Sequence, residues 1–214
     1  TGTRLAGRIG KLLILRGSTR IAGTEAAAGP EHLLQLYEQE DTGFLGRLHG
    51  SYGLAVVDAV HRRVLLANDR MGIHGWCYRV DGRRIHFSDR ADAIGEPSDI
   101  SRQALLSYLL QHIIPAPETI YGNVARLPAA HRLVFSQAGS DLAPHWTPEF
   151  HEPERPDFGP LKDEFRRLIE ASVARELANI DHRPIGTYLS GGTDSSTVSG
   201  MLRKVAGQPI RAYS

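Results

Sequence analysis

The 214-residue chain has one cysteine, Cys77, so no internal disulfide framework is possible. A lone thiol fits a reducing compartment, and the expected location is cytoplasmic. No apolar run approaches the ~20 residues of a membrane-spanning helix, and no signal-peptide pattern opens the chain, so no membrane partner is expected. An excess of either charge is also missing. Lys and Arg number 25 against 24 Asp and Glu, for a formal net charge of +1. That balance makes no case for nucleic acid. Arg62-Arg63 and Arg83-Arg84 cluster locally and read as solvated turn charges. The ten histidines form neither an H-x-x-x-H pair nor an H-E-x-x-H motif. His112 and His131 therefore read as capping or packing residues rather than metal ligands. Nothing repeats at a fixed period. What remains is 41% hydrophobic and 23% charged, the composition of a soluble globular protein of one or two domains.

The patterning changes near residue 150. Before it, strand-like runs dominate: 12–15, then 53–57 and 63–67 around the turn Asp58-Ala59-Val60-His61. Runs 75–79 and 85–88 flank Val80-Asp81-Gly82-Arg83, where Asp-Gly is a strong hairpin signal. Two helices interrupt, 30–39 with Leu33, Leu34, Leu36 and Tyr37 apolar, and 101–111 with Leu105, Leu106, Leu109 and Leu110 apolar. Five prolines between Pro144 and Pro160 mark a connection, in which Glu152 and Glu154 read as solvated charges. An amphipathic helix is predicted over 158–177 through Leu161, Phe165, Leu168, Ile169 and Val173.

The most informative stretch runs from Arg183 to Thr197. The apolar run 185–189 has the look of a buried strand, and it ends in Ser190-Gly191-Gly192-Thr193-Asp194-Ser195-Ser196. A helical pattern follows with Val198, Met201, Leu202 and Val205 on one face. Strand, glycine-rich turn and helix start in that order make an anion cradle of unpaired N–H groups. Hydroxyls of Ser190, Ser195 and Ser196 add donors. Asp194 would repel a phosphate unless a cation sits between them, which suggests Mg²⁺ held by Asp194. The bland alternative is a Ser/Gly-rich surface turn.

Ser190–Ser196 resembles the pyrophosphate loop of the N-type ATP pyrophosphatases. It does not match the Walker pattern, which needs a Lys before the Ser/Thr. Other segments carry a wider resemblance. Residues 44–58, Phe-Leu-Gly-Arg-Leu-His-Gly-Ser-Tyr-Gly-Leu-Ala-Val-Val-Asp, resemble a family string that precedes a strand. Residues 66–78 resemble the "ARDRxGxxPLYY" strand pair, and 88–94 resemble "SExKAL". Residues 112–121 and 126–131 resemble "PxPxTIF…LPPGH". In this order, and followed by the pyrophosphate loop, they resemble the asparagine synthetase-like family over most of residues 31–214.

That resemblance implies an α+β then α/β organisation. The amino half would be an antiparallel β-sandwich of Ntn-hydrolase type with helices, over 1–143. A linker would cover 144–160, and 161–214 would begin a parallel-sheet ATP-pyrophosphatase domain, continued by further chain or another subunit. The implied cofactors are ATP and Mg²⁺. The implied binding residues are Leu189, Ser190, Gly191, Gly192, Thr193, Asp194, Ser195, Ser196 and Ser214, with adenine near Tyr213-Ser214. No catalytic residue is assigned within this stretch. The implied reaction adenylates a small-molecule or peptide carboxylate, after which an amine displaces AMP. A homodimer is an open possibility, as is a non-catalytic nucleotide-binding or interaction module.

Two departures bear on the amine donor. Glutamine-using family members carry a catalytic N-terminal Cys, whereas this chain reads Thr1-Gly2-Thr3. An N-terminal Thr can be a nucleophile, but the family's Gly-Ile does not follow it here. The family's "(S/G)DxE" element, which holds the glutamine amine, is replaced by Ala28-Gly29-Pro30-Glu31, with Gly29 at the Asp position. The "NGEIYN" string is also not found. No glutaminase activity is expected. The amine could come from ammonia or from the substrate itself, as in β-lactam synthetases and lasso-peptide cyclases; an ordinary glutamine-fed asparagine synthetase whose start is missing from this sequence fits equally well. Asp69 and Arg70 read as a structural ion pair.

Overall fold

The computed structural model describes residues 2–24, 26–152, 157–178 and 184–214. Two compact units divide the chain at Pro148/Glu149.

The first unit is built from antiparallel hairpins. Its elements are β1 (Thr3–Arg8), β2 (Lys11–Ile21), α1 (Pro30–Glu40), β3 (Leu48–Asp58), β4 (Arg63–Asn68), β5 (Cys77–Asp81), β6 (Arg84–Ser88), α2 (Arg102–Gln111), β7 (Ala125–Arg126), β8 (His131–Ser136) and β9 (Gly139–Pro144). Six strands form one sheet in the order β1-β2-β3-β4-β8-β9, and three form another in the order β6-β5-β7. The antiparallel architecture with helices is the one the family resemblance implies. Strands β1 and β9 were not anticipated. Both are exposed edge strands whose polar and glycine content lacks an apolar rhythm.

Alternation sets the register. Leu13 and Leu15 on β2 point into the same core as Leu33, Leu34 and Tyr37 of α1. A one-residue slip would turn every one of these β2 side chains to the other face. β3 and β4 instead read as continuous apolar runs because both of their faces are covered. Tyr52, Leu54, Val56, Leu65 and Ala67 pack under α1, whereas Ala55 and Leu66 join Trp76, Leu127 and Leu133 on the opposite side. Tyr78, Ile85 and Phe87 close that second core, so the two sheets stack face to face.

Helix α2 departs from the amphipathic reading. Ser101 caps it by accepting the Ala104 N–H at 3.2 Å, and His112 ends it in the left-handed region. Ala104 is buried, but Leu105, Leu106, Leu109 and Leu110 all remain exposed. Periodicity identified the helix but not a partner for its apolar face.

The second unit contains α3 (Phe158–Ala178), β10 (Gly186–Tyr188), α4 (Thr193–Ala206) and β11 (Arg211–Tyr213). β10 and β11 pair in parallel, with Gly186 opposite Arg211 and Tyr188 opposite Tyr213. A parallel pair needs a crossover, and α4 supplies it. Lys204 of α4 reaches Glu170 of α3 at 2.6 Å.

Candidate functional site

The strand–loop–helix predicted from the sequence forms as one continuous unit, but the strand is not buried: Gly186 and Tyr188 of β10 are exposed, and Thr187 between them is half-buried. The Leu189 N–H donates to Tyr213 O at 2.7 Å, which extends the parallel pairing one step beyond β10. Ser190 and Ser214 therefore leave the strands at the same, carboxyl end, where open α/β sheets place their ligands. Gly191 turns the chain with φ +83°, a left-handed conformation that a side chain would strain. Gly192 is the N-cap of α4 and offers no side-chain cap. Ser196 N–H makes the first helical bond, to Gly192 O at 3.1 Å. The N–H groups of Thr193, Asp194 and Ser195 precede that first bond, as at any helix start, and point out of the N-terminus.

The hydroxyls are pre-arranged. Ser190 Oγ and Ser195 Oγ lie 3.0 Å apart, and Ser195 also donates to Gly192 O at 3.1 Å. Thr187 Oγ1 and Ser199 Oγ, 2.9 Å apart, tie β10 to α4 behind the loop. Asp194 sits exposed in the first turn and makes no ion pair among the described residues. A free carboxylate beside hydroxyl and N–H donors suits a divalent cation bridging to phosphate and does not suit bare phosphate.

In the first unit, the resemblance places the glutamine-amine anchor at Gly29. Gly29 is the N-cap of α1, in extended conformation, and presents no side chain; Pro30 follows at the first helical position. Cys77 is buried at the start of β5. Burial raises its thiol pKa, partly offset by the neighbouring Arg126. A protonated, enclosed thiol is a poor nucleophile. Thr1 lies outside the described residues, as does Glu154.

Asp69 and Arg70 do not pair with each other, which corrects the sequence reading. The Asp69 carboxylate, 1% exposed, instead accepts the backbone N–H groups of Tyr52, Met71, Ile73 and His74 at 2.8–3.3 Å. Arg70 turns away to lie over the Trp146 ring and contacts His49 Nε2 at 3.3 Å. Burial first, and then the positive charge of Arg70, lower the His49 pKa. Both residues lie past the end of β4, where the Asp69 carboxylate is drawn inward by the N–H groups of the turn it opens.

A second polar hub was not anticipated. Tyr37 donates to Asp58 Oδ2 at 2.9 Å and accepts from Arg63 Nε at 2.7 Å, and Arg63 also pairs with Asp41. Asp58 further accepts from the ring and the N–H of His61. Burial, opposed by Arg63 and reinforced by Asp58, pushes the Tyr37 hydroxyl up to about 12. These groups border an open cleft of about 720 Å³. An aspartate ending a strand three residues before a turn His was the available signal.

Family comparison is decisive for the first unit. A glutamine amidotransferase domain model matches residues 19–146, and an asparagine synthase model matches residues 164–214. The chain belongs to the asparagine synthetase-like glutamine amidotransferase family. It is 29% identical over 192 residues to a putative glutamine-hydrolysing asparagine synthetase of Methanocaldococcus jannaschii, covering 85% of this chain and 36% of that protein. It is 27% identical over 199 residues to asparagine synthetase 3 of Bacillus subtilis, covering 89% and 32%. A solved structure of B. subtilis glutamine phosphoribosylpyrophosphate amidotransferase aligns with a TM-score of 0.41 at 11% identity, over 97% of this chain and 46% of that one. The chain thus spans about a third of the length of the curated relatives it matches. Among the described residues of this family member, no helix is long and apolar enough to cross a membrane.

Proposed function

We propose that the protein to which this chain belongs is an ATP-dependent carbon–nitrogen ligase. A substrate carboxylate oxygen attacks the α-phosphorus of ATP, the bond to the β-phosphate breaks, and pyrophosphate leaves. An amine nitrogen then attacks the acyl carbon, AMP leaves, and the amine proton passes to solvent. The observation that carries this reading is the Ser190–Ser196 loop at the carboxyl end of a parallel strand pair, with Asp194 unpaired in the first turn of α4.

In this scheme the N–H groups at the start of α4 and the hydroxyls of Ser190, Ser195 and Ser196 donate to the departing pyrophosphate. They stabilise charge that grows as the bond breaks, which is where fixed donors accelerate a reaction. Asp194 would hold Mg²⁺, which supplies further neutralising charge when bound. Leu189 and Ser214 border the nucleotide, with adenine near Tyr213. The remainder of the synthetase domain, on further chain or a partner subunit, would supply the carboxylate site.

The bare Gly29 N-cap favours a second reading of the amine donor: the amino half delivers no ammonia, and the amine is free ammonia or part of the substrate. The test uses the complete protein with ATP, Mg²⁺ and aspartate, adding glutamine or ammonium in turn and measuring AMP, pyrophosphate and asparagine. Magnesium-dependent pyrophosphate release that is abolished in Asp194→Asn, with the melting temperature unchanged, is the expected result. Wild-type turnover in that variant sinks the loop assignment. Efficient asparagine formation from glutamine sinks the donor reading. No ATP use with any carboxylate supports a non-catalytic module instead.

A further inference from the structure

The arginines that read as two separate turn clusters in the sequence come together. Arg62 and Arg63 close the β3–β4 turn, and Arg83 and Arg84 close the β5–β6 turn. All four line one groove of about 370 Å³. Its floor is apolar: Val64 and Phe135 come from the six-stranded sheet and Ile85 from the three-stranded one. The groove therefore lies where the end of one sheet meets the margin of the other.

Its charge is unbalanced. Arg63 is held by Asp41. Arg62, Arg83 and Arg84 are exposed and have no carboxylate partner among the described residues. The one acidic group on the wall, Asp58, has a fully buried side chain already engaged by His61 and Tyr37. His86 adds an ionisable ring at the same wall. Arg62 also sits at φ +51°, where Asn or Gly is the usual occupant.

A third feature defines the ligand. Arg83, Arg84, Ile85 and His86 are consecutive, so the groove looks along a strand edge and not onto a sheet face. β6 is the outer strand of its sheet, and the backbone groups of Ile85 and Phe87 bond to no further strand among the described residues. Cationic side chains, an apolar floor and an open strand edge are together matched by an extended acidic peptide. Its backbone would pair with β6, its carboxylates would meet the arginines, and an alternate apolar side chain would rest on Phe135 and Val64. A simple anion would use only the arginines.

We propose that this groove binds an extended acidic peptide segment by adding it as a strand to β6. The site is independent of the ligase reading. The probe is acetyl-Glu-Val-Glu-Val-Glu-Val-amide, titrated by calorimetry against the full chain at low salt. The Glu→Gln peptide and the Val→Ser peptide should each bind at least tenfold more weakly. Binding should weaken several-fold as salt is raised from about 50 to 300 mM, because the contacts are charge-assisted. Arg83→Glu with Arg84→Glu should abolish it, and Arg83→Gln with Arg84→Gln should weaken it about tenfold; both pairs lie on an exposed turn, and thermal melts check that the fold persists. Amide exchange at Ile85 and Phe87 should slow on binding. Equal binding of the Gln peptide, unchanged exchange at those amides, or no binding at millimolar peptide overturns the proposal. Tripolyphosphate binding as tightly as the peptide, with the Val→Ser peptide unaffected, overturns it in favour of a plain anion site.

Discussion

The Asp58 carboxylate and the His61 side chain form a closed pair across the β3–β4 turn, with Oδ2 2.8 Å from Nδ1 and Oδ1 accepting the His61 N–H at 3.0 Å. The aspartate side chain is wholly buried, whereas the imidazole is 63% exposed. The pair thus anchors a solvent-facing ring on a buried charge, and that charge is tied to α1 through Tyr37.

This geometry gives the first unit an acid-sensitive bond. Burial pushes the Asp58 carboxyl up, but hydrogen bonds from the His61 ring, the His61 N–H and Tyr37 outweigh it and hold the pKa at about 2. A folded-state pKa below the unfolded value means that the unfolded chain binds the proton first. The contribution is therefore complete above about pH 4 and is lost as pH falls toward 2. Asp58→Asn should lower stability at pH 7 by about 2 kcal/mol and flatten the acid limb. Urea titrations between pH 7 and 2 check this; an unchanged acid limb in the variant contradicts it.

Asp69 organises the loop after β4 through four backbone N–H groups. Asp69→Ala leaves the buried Tyr52 N–H and three part-buried N–H groups without this acceptor and should cost about 2 kcal/mol. The urea midpoint of the full chain reports it. A loss below about 1 kcal/mol would mean that water replaces the carboxylate.

Gly17 is irreplaceable for two reasons. Its φ is +77°, and an added Cβ would lie 2.1 Å from Ser51 O and 2.5 Å from the His74 ring. Both neighbours are held, Ser51 by β3 and His74 behind the Asp69 loop. Gly17→Ala should destabilise by about 3 kcal/mol, whereas Gly23→Ala, where nothing lies within 4 Å, should cost only the strain of its φ. Thermal melts of the two variants compare them directly.

Cys77 should be silent to thiol reagents in the folded protein, since burial both covers it and raises its pKa. Ellman's reagent at pH 8 should label it only after urea is added. Rapid labelling of the native chain would show that the start of β5 opens.

Glutamine should not be hydrolysed. The resemblance places the amine anchor at Gly29, which has no side chain, and the one cysteine of this sequence, Cys77, is enclosed in β5. Glutamate release from glutamine by this chain is the measurement, and steady release above the uncatalysed rate contradicts the expectation.

Local chemistry was readable in the sequence and tertiary placement was not. Continuous apolar runs marked β3 and β4, and the 3.6 periodicity marked α1 and α3. Ser101 marked the start of α2, Asp81-Gly82 the β5–β6 turn, and the Ser190–Ser196 string the strand–loop–helix. Each of these depends on neighbours within a few residues, so sequence order alone determines it. The Asp69–Tyr52 contact, the Asp58–Tyr37–Arg63 hub and the shared groove of Arg62 and Arg83 depend on contacts between residues about 20 positions apart. Only strand register decides such contacts, because it chooses which side chain faces in and which faces out. The apolar face of α2 makes the same point in reverse: its spacing specifies a helix, and what covers a helix is a property of the surrounding tertiary structure.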